Sequence, residues 1–187
     1  MTESYIWETA ILDADFAIKL GRLRKYRVIE DILPHYVGLL LIHEYVYNHE
    51  VLTPREAKEQ IDVLIQKGRA EIVTTAALQQ QSSLHYILYE DTIEKLRREK
   101  GTRENGSHWG EIVSIAYAHT MGIPYFLSDE RDQQAFINEH FSKPIQVIRI
   151  EHLVLQMRDS GAKRKDALLV WVIAGYAKER FHDIWPI

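Results

Sequence analysis

A short apolar run near the N-terminus ends abruptly in two carboxylates, and this stretch constrains the fold most. Residues 10–12 lead directly into Asp13 and Asp15, and residues 16–20 have helix-forming character. Such a run is typical of a buried strand of a parallel sheet. Ligands of open α/β sheets bind at the carboxyl ends of such strands, which makes Asp13 a candidate functional residue. The alternative is that Asp13 or Asp15 only caps the following helix, since Asp is a favoured N-cap residue.

The bulk properties indicate an ordinary globular chain. Of its 187 residues, 46% are hydrophobic, which is enough to bury a core. We expect a single domain over residues 1–187, with residues 151–187 as a helical segment that packs on it or extends it. The formal net charge of −4 argues against a generally basic nucleic-acid-binding protein. A local cluster of metal-binding carboxylates would itself lower this sum, so nucleic acid is not excluded as a partner.

The absence of cysteine removes several classes of site at once. With no cysteine in the chain, disulfides, thiolate zinc sites and cysteine nucleophiles are excluded. This composition fits a reducing compartment, and the N-terminus lacks the basic and then apolar pattern of a signal peptide. The longest apolar runs, residues 37–42 and 167–177, are too short to span a bilayer. We therefore expect a cytoplasmic protein that has no membrane partner.

Apolar runs and helical patterns alternate along the chain. Further strands are predicted over residues 36–42, 70–74, 123–127 and 145–150. The main helical patterns cover residues 82–98, 112–118, 133–140, 151–158 and 166–180. In residues 82–98 the expected apolar side consists of Leu84, Ile87, Leu88, Ile93 and Leu96. This alternation predicts an α/β sheet flanked by helices.

Four carboxylates recur at equivalent places in this pattern. Each lies where a predicted strand meets a helix, or in a first helical turn: Asp13, Glu44, Glu111 and Asp129. In a parallel sheet those places share one edge, where gathered carboxylates would repel one another at neutral pH. A divalent cation relieves that repulsion, and all-oxygen ligation suits Mg²⁺ or Mn²⁺ rather than zinc. Such a centre suits phosphodiester hydrolysis, in which the metal activates water and stabilises the leaving oxygen.

The residues around these carboxylates resemble a known family. The stretches that carry the likeness are Ile-Leu-Asp-Ala-Asp at 11–15, Ile-His-Glu-Tyr at 42–45, Gly-Glu-Ile-Val-Ser-Ile-Ala-Tyr-Ala at 110–118 and Phe-Leu-Ser-Asp-Glu-Arg at 126–131. Together they resemble the PIN domain, the nuclease fold of many toxin–antitoxin ribonucleases and RNA-processing endonucleases. The resemblance implies a three-layer α/β/α sandwich around a parallel sheet, with Rossmann-like topology. It also implies a Mg²⁺- or Mn²⁺-dependent ribonuclease that cuts RNA.

Carried over by position, the resemblance makes Asp13 the first acid, Glu111 the third and Asp129 the fourth. The second acid is Glu44 if the second strand ends near Leu41, which we prefer, or Glu50 if the following helix begins later. These acids would bind the metal and carry catalysis. Asp15 would then orient a metal-bound water, and Asp132 is either a further ligand or a surface residue.

The expected partners follow from the same resemblance. RNA is the substrate, and an antitoxin protein is a second partner if the chain is a toxin. The C-terminal helical segment is a candidate element for homodimerisation. The basic stretch over residues 95–106 has two interpretations. It is either a mobile rim beside an active site that holds a polyanion, or a set of cations that interact favourably with the dipole at a helix C-terminus.

Two other functions stay open. One is a phosphatase that resembles the haloacid dehalogenase family, in which Asp13 of the Asp-Ala-Asp stretch would be the nucleophile. The other is a catalytically inactive PIN-like domain that binds RNA or a protein.

Overall fold

Five parallel strands form the centre of the computed structural model, which describes residues 5–143 and 145–186. The strands are Trp7–Leu12 (β1), Val37–His43 (β2), Ala70–Val73 (β3), Tyr125–Leu127 (β4) and Gln146–Ile148 (β5). Their order across the sheet is β3-β2-β1-β4-β5, and each neighbouring pair is parallel. The predicted α/β class with a parallel sheet is confirmed. Each predicted strand is present, although β4 and β5 are shorter than expected.

Helices connect and cover the strands. They are Ala14–Gly21 (α1), Val28–Asp31 (α2), Arg55–Gln66 (α3), Thr75–Gln81 (α4), Ser83–Lys100 (α5), Trp109–Met121 (α6), Gln133–His140 (α7), Ile150–Asp159 (α8), Arg164–Ile173 (α9) and Phe181–Ile184 (α10). Short 3₁₀ turns cover Leu33–His35 and Lys178–Arg180, and a π-helical turn covers Val46–Glu50. None of the described helices has both the length and the apolar character needed to cross a bilayer.

Alternate residues of β1 pack into two different cores. Ala10 and Leu12 face a core that α1, α3, α8 and α9 cover, whereas Ile11 faces a core that α5, α6 and α7 cover. The sheet is therefore buried on both faces between two layers of helices. Burial on both faces explains why its strands are near-continuous apolar runs rather than alternating ones.

The C-terminal segment completes one of these layers. Leu153 of α8, Trp171 of α9 and Phe181 of α10 are almost fully buried in the first core. The helix predicted over residues 166–180 ends earlier, at Ile173. Its end is set by Gly175, whose φ of 92° is accessible mainly to glycine.

One predicted apolar face is wrong in part. Leu84, Ile87 and Leu88 are 74%, 56% and 41% exposed. The buried residues of α5 are Tyr89, Thr92, Ile93 and Leu96. Because one side of a helix spans only part of its circumference, a core that lies against Tyr89 and Leu96 leaves the earlier leucines facing outward.

Candidate metal centre at the carboxyl end of the sheet

Asp13 lies where β1 ends and α1 begins, and only 4% of it is exposed. Its carboxylate accepts hydrogen bonds from the backbone N–H of Ala14 at 2.8 Å and from Ser128 Oγ at 3.0 Å. Ser128 directly follows β4, the neighbour of β1 in the sheet. Burial, and then the charges of Asp15 and Glu111, raise the pKa of Asp13 well above its ordinary value. Asp13 therefore caps α1 and also lies in a crowded negative field.

Glu111 lies in the first turn of α6 and is 6% exposed. Its carboxylate accepts a hydrogen bond from Lys100 Nζ and lies 3.1 Å from His108 Nδ1. Burial raises the pKa of Glu111, but the bond to Lys100 and its charge outweigh burial and hold the pKa below its ordinary value. Lys100 is the last residue of α5, so the basic stretch predicted over residues 95–106 supplies a cation directly to this site.

Glu130 also joins this site, although the sequence pattern did not predict it as a site residue. One ligand atom each from His108, Glu111 and Glu130 can be chosen so that all three lie within 4.8 Å of one another. Burial, and then a hydrogen bond and repulsion from Glu111, raise the pKa of Glu130 to about 7. The available signal was the acid pair after β4, but adjacency alone cannot tell which of Asp129 and Glu130 faces the site.

Asp129 faces a different environment. Its Oδ2 lies 2.8 Å from Lys19 Nζ, and its two oxygens lie 2.7 and 2.8 Å from the hydroxyl of Tyr176. The backbone N–H of Ile150 donates to Oδ1 at 3.2 Å. These donors come from α1, α8 and the chain after α9, so Asp129 joins three parts of the structure. The hydrogen-bond partners of the Asp129 carboxylate are therefore different from those of Glu111, which are Lys100 and His108.

Glu44 and Glu50 also occupy different places. Glu44 accepts a hydrogen bond from the backbone N–H of Thr75 at 2.8 Å, at the start of α4. Glu50 instead accepts from the backbone N–H of Gly110 at 3.1 Å, at the start of α6. Burial and the charge of Glu111 raise the pKa of Glu50, whereas the hydrogen bond from Gly110 lowers it. The pKa lies above its ordinary value. The structure thus brings the alternative second acid, Glu50, to the site.

Two local features account for the position of Glu50. It is the last residue of the π-helical turn, whose wider winding changes which side chain faces α6. It also packs against Gly110 so closely that a Cβ there would collide with the Glu50 carboxylate. Gly110 therefore leaves the space that the Glu50 carboxylate occupies in this structure.

Asp15 contacts residues near Asp129 and also affects Asp13. Its carboxylate accepts from the backbone N–H of Asp129 at 3.3 Å and from Lys19 Nζ at 3.2 Å, and its charge also raises the pKa of Asp13. Asp132 is exposed just before α7, and its side chain caps no helical N–H.

Glu111 is the centre of what we call the carboxylate cluster, which consists of Asp13, Glu50, Glu111 and Glu130. Repulsion from Glu111 raises the pKa of each of the other three. Such crowding is what a divalent cation relieves, and carboxylate oxygens are the ligands that Mg²⁺ and Mn²⁺ prefer. Of the four, only Glu111 and Glu130 belong, together with His108, to a group of described residues whose ligand atoms lie within 4.8 Å of one another, so these are the members that could hold an ion directly. His108 would add a nitrogen ligand, whereas the sequence predicted ligation by oxygen atoms alone.

Comparisons with protein-family models, with curated proteins and with solved structures found no match. Membership of the PIN family therefore stays a prediction.

Proposed function

We propose that this protein is a Mg²⁺- or Mn²⁺-dependent endoribonuclease with a PIN-like fold. The observation that supports the proposal most is the convergence of the carboxylate cluster at the carboxyl end of a parallel sheet. Its members come from four separate parts of the chain, and within the described residues Lys100 is the cation bonded to Glu111. Acids buried together without matching cations are costly to ionise, and a bound divalent cation would remove that cost.

In this proposal Glu111 and Glu130 hold the ion directly, and Asp13 and Glu50 complete its negative surroundings. The bound ion would activate a water molecule and stabilise the charge on the leaving oxygen. Lys100, once Glu111 is held by the ion, is free to contact a phosphate oxygen of the RNA. Asp15, whose charge raises the pKa of Asp13, would accept a hydrogen bond from the attacking water and so orient it.

RNA is the proposed substrate, and an antitoxin protein is the proposed second partner in the toxin case. The ion pair between Lys100 and Glu111 favours one competing function, a PIN-like domain that binds RNA or protein without cutting. In that case Lys100 would permanently replace the metal. Metal binding is therefore the property that separates the two proposals.

The test is a titration with Mn²⁺ and Mg²⁺ followed by thermal unfolding, together with cleavage of a fluorescent single-stranded RNA. Ion at 100 times its Kd stabilises the native state by about 2.7 kcal/mol, which raises Tm by roughly 5 to 10 °C for a chain of this size. Asp13→Asn and Glu111→Gln should abolish cleavage while the metal-free proteins stay folded. The matched control is Glu139→Gln, an exposed acid on α7 that should change neither measurement.

Each other outcome has a definite meaning. If the metals cause no Tm shift and no cleavage is detected, the nuclease proposal is overturned and the non-cutting domain is favoured. An acid-stable phosphoenzyme formed on Asp13 would instead support the phosphatase.

A further inference from the structure

A pocket of about 630 Å³ opens between the end of β2, helix α5 and the start of α6. Its lining includes Glu44, Tyr45, Asn48, His49, Arg97 and Trp109. We call it the aromatic pocket. Its volume lies in the range of sites that bind small molecules or one part of a larger ligand. None of these six residues belongs to the carboxylate cluster.

Three neighbouring rings form one wall of the aromatic pocket. The ring centroids of Tyr45 and His49 are 4.8 Å apart, and those of Tyr45 and Trp109 are 6.5 Å apart in an edge-on arrangement. Trp109 is buried, but Tyr45 is only half-buried and His49 is exposed, so two rings keep surface for a ligand. The bases of single-stranded RNA stack on side chains of this kind. The wall therefore fits a flat aromatic ligand.

Two polar side chains in the same pocket can contact the edge of a base. Glu44 is half-buried, and its Oε1 accepts a hydrogen bond from the backbone N–H of Thr75 at 2.8 Å, which holds the carboxylate in place. An ionised carboxylate has about four acceptor sites, so Glu44 can accept further hydrogen bonds. Asn48 is exposed, and its amide offers both donors and an acceptor.

This pair of side chains favours guanine among the four bases. The Watson–Crick edge of guanine carries two adjacent donors, N1–H and the 2-amino group, next to the acceptor O6. One carboxylate can accept both donors in parallel, and an amide N–H can donate to O6. Each of the other three bases places an acceptor beside the donor on this edge, and a carboxylate repels that acceptor. Glu44 therefore matches guanine best.

The charge of the pocket suits a base better than a phosphate. The acids among the described lining residues are Glu44, Glu90, Glu94 and Glu104, and Arg97 pairs with Glu94 at 2.8 Å. Burial, and then the charge of Glu104, raise the pKa of Glu90, so these two exposed acids repel each other. A phosphate would be repelled by such a lining, whereas a base is uncharged.

The aromatic pocket lies beside the carboxylate cluster. His49 directly precedes Glu50 of the cluster, and burial together with the charge of Glu50 raises the pKa of Tyr45. The last turn of α5 also joins the two sites. Arg97 lines the pocket, and Lys100, three residues later, bonds to the cluster. A nucleotide whose phosphate lies at the cluster therefore has this pocket within reach of a neighbouring base.

We propose that the aromatic pocket binds a guanine base of the RNA substrate, next to the phosphate at the carboxylate cluster. Tyr45 and His49 would stack on the base, Glu44 would accept from N1–H and the 2-amino group, and Asn48 would donate to O6. The RNA as the source of the base rests on the proposed function, whereas the affinity for guanine does not. Glu44 thus has a role in specificity rather than in metal binding.

The test measures the Kd of guanosine, inosine and uridine for the metal-free protein by NMR titration. Inosine is guanosine without the 2-amino group. The wild type should bind guanosine about fivefold more tightly than inosine and about tenfold more tightly than uridine. Glu44→Gln should reduce the ratio of guanosine to inosine to less than about twofold, because an amide has one acceptor oxygen in place of two.

Two further variants keep this test specific. Glu139→Gln is the matched control on the exposed side of α7, and it should keep the fivefold ratio. His49→Ala removes an exposed ring and should weaken the binding of all three nucleosides by a similar factor, about threefold, because stacking does not depend on the edge of the base. Circular dichroism and Tm show whether each variant is folded.

Cleavage of a mixed-sequence RNA with Mn²⁺ connects the pocket to the proposed function. The wild type should cut next to guanine, and Glu44→Gln should cut without this preference. If the wild type cuts RNA but binds guanosine and inosine equally, the guanine site is overturned and the nuclease proposal stands. If the guanosine preference depends on Glu44 but no metal supports cutting, the guanine site stands and the nuclease proposal fails. If spermidine binds and no nucleoside does, the pocket takes a cation and the guanine site is overturned.

Discussion

Asp129 and Glu130 are neighbours in the chain but lie in opposite environments. Asp129 is surrounded by donors, namely Lys19, Tyr176 and the backbone N–H of Ile150. Glu130 faces another carboxylate, Glu111, and burial together with that contact raises its pKa to about 7. An acid whose charge the fold satisfies stabilises the fold, whereas an acid whose charge the fold leaves uncompensated is a candidate for binding a ligand.

The partners of the two side chains describe the divergence. Just after β4, Asp129 contacts α1 and the C-terminal segment, whereas Glu130 lies beside Glu111 at the start of α6. Two adjacent acids can therefore serve stability and function separately.

The largest effect on stability is expected at Asp129. Asp129→Ala leaves Lys19, Tyr176 and the Ile150 N–H without their shared acceptor, so the free energy of unfolding should fall by about 3 kcal/mol. Glu130→Ala removes a repulsion and at pH 8 should instead raise it, by about 1 kcal/mol. Urea denaturation in EDTA measures both. Equal losses at the two positions would show that the two environments do not differ as described.

The next effect concerns Mn²⁺ binding at Glu50 and Glu44. Glu50→Gln should weaken Mn²⁺ binding by about tenfold, or 1.4 kcal/mol, because it removes a charge next to Glu111. Glu44→Gln, with its carboxylate at the start of α4, is the matched control and should keep the full Mn²⁺-induced rise in Tm. A larger loss for Glu44→Gln would restore the sequence-based preference for that residue.

A smaller effect is expected from pH in the absence of metal. The pKa of Glu130 is raised from its ordinary 4.5 to about 7 in the folded protein, so the folded state binds more protons between these values. Stability from this group is therefore present below about pH 4.5 and is lost as the pH rises through 7. Because Glu130 is partly exposed, we expect a loss of only about 1 kcal/mol. Denaturation curves at pH 5 and pH 8 should show it, and Glu130→Gln should diminish it, whereas Glu139→Gln should not.

The smallest effect is expected outside both environments, on the exposed face of α5. Leu84 is 74% exposed, so Leu84→Ser should change the free energy of unfolding by no more than about 0.5 kcal/mol. Leu96 is fully buried on the same helix, and Leu96→Ala should lower it by about 2 to 4 kcal/mol. Thermal denaturation distinguishes the two variants, and a large loss at Leu84 would contradict the described face of α5.

Local sequence determined the architecture of this protein. Apolar runs with helical patterns between them were sufficient to predict five parallel strands, because a strand buried on both faces must be apolar throughout. They also placed Asp13 at the end of β1 and Glu111 in the first turn of α6, since both positions depend only on where an element begins or ends.

Tertiary structure alone decided which carboxylates meet. Glu50 reaches Gly110 through a π-helical turn, and Asp129 is drawn away from Glu130 by Lys19 and Tyr176, which are 110 and 47 residues distant in the chain. The direction of a side chain at the end of a strand depends on donors that other elements bring to it. No pattern within a few residues of Asp129 contains that information.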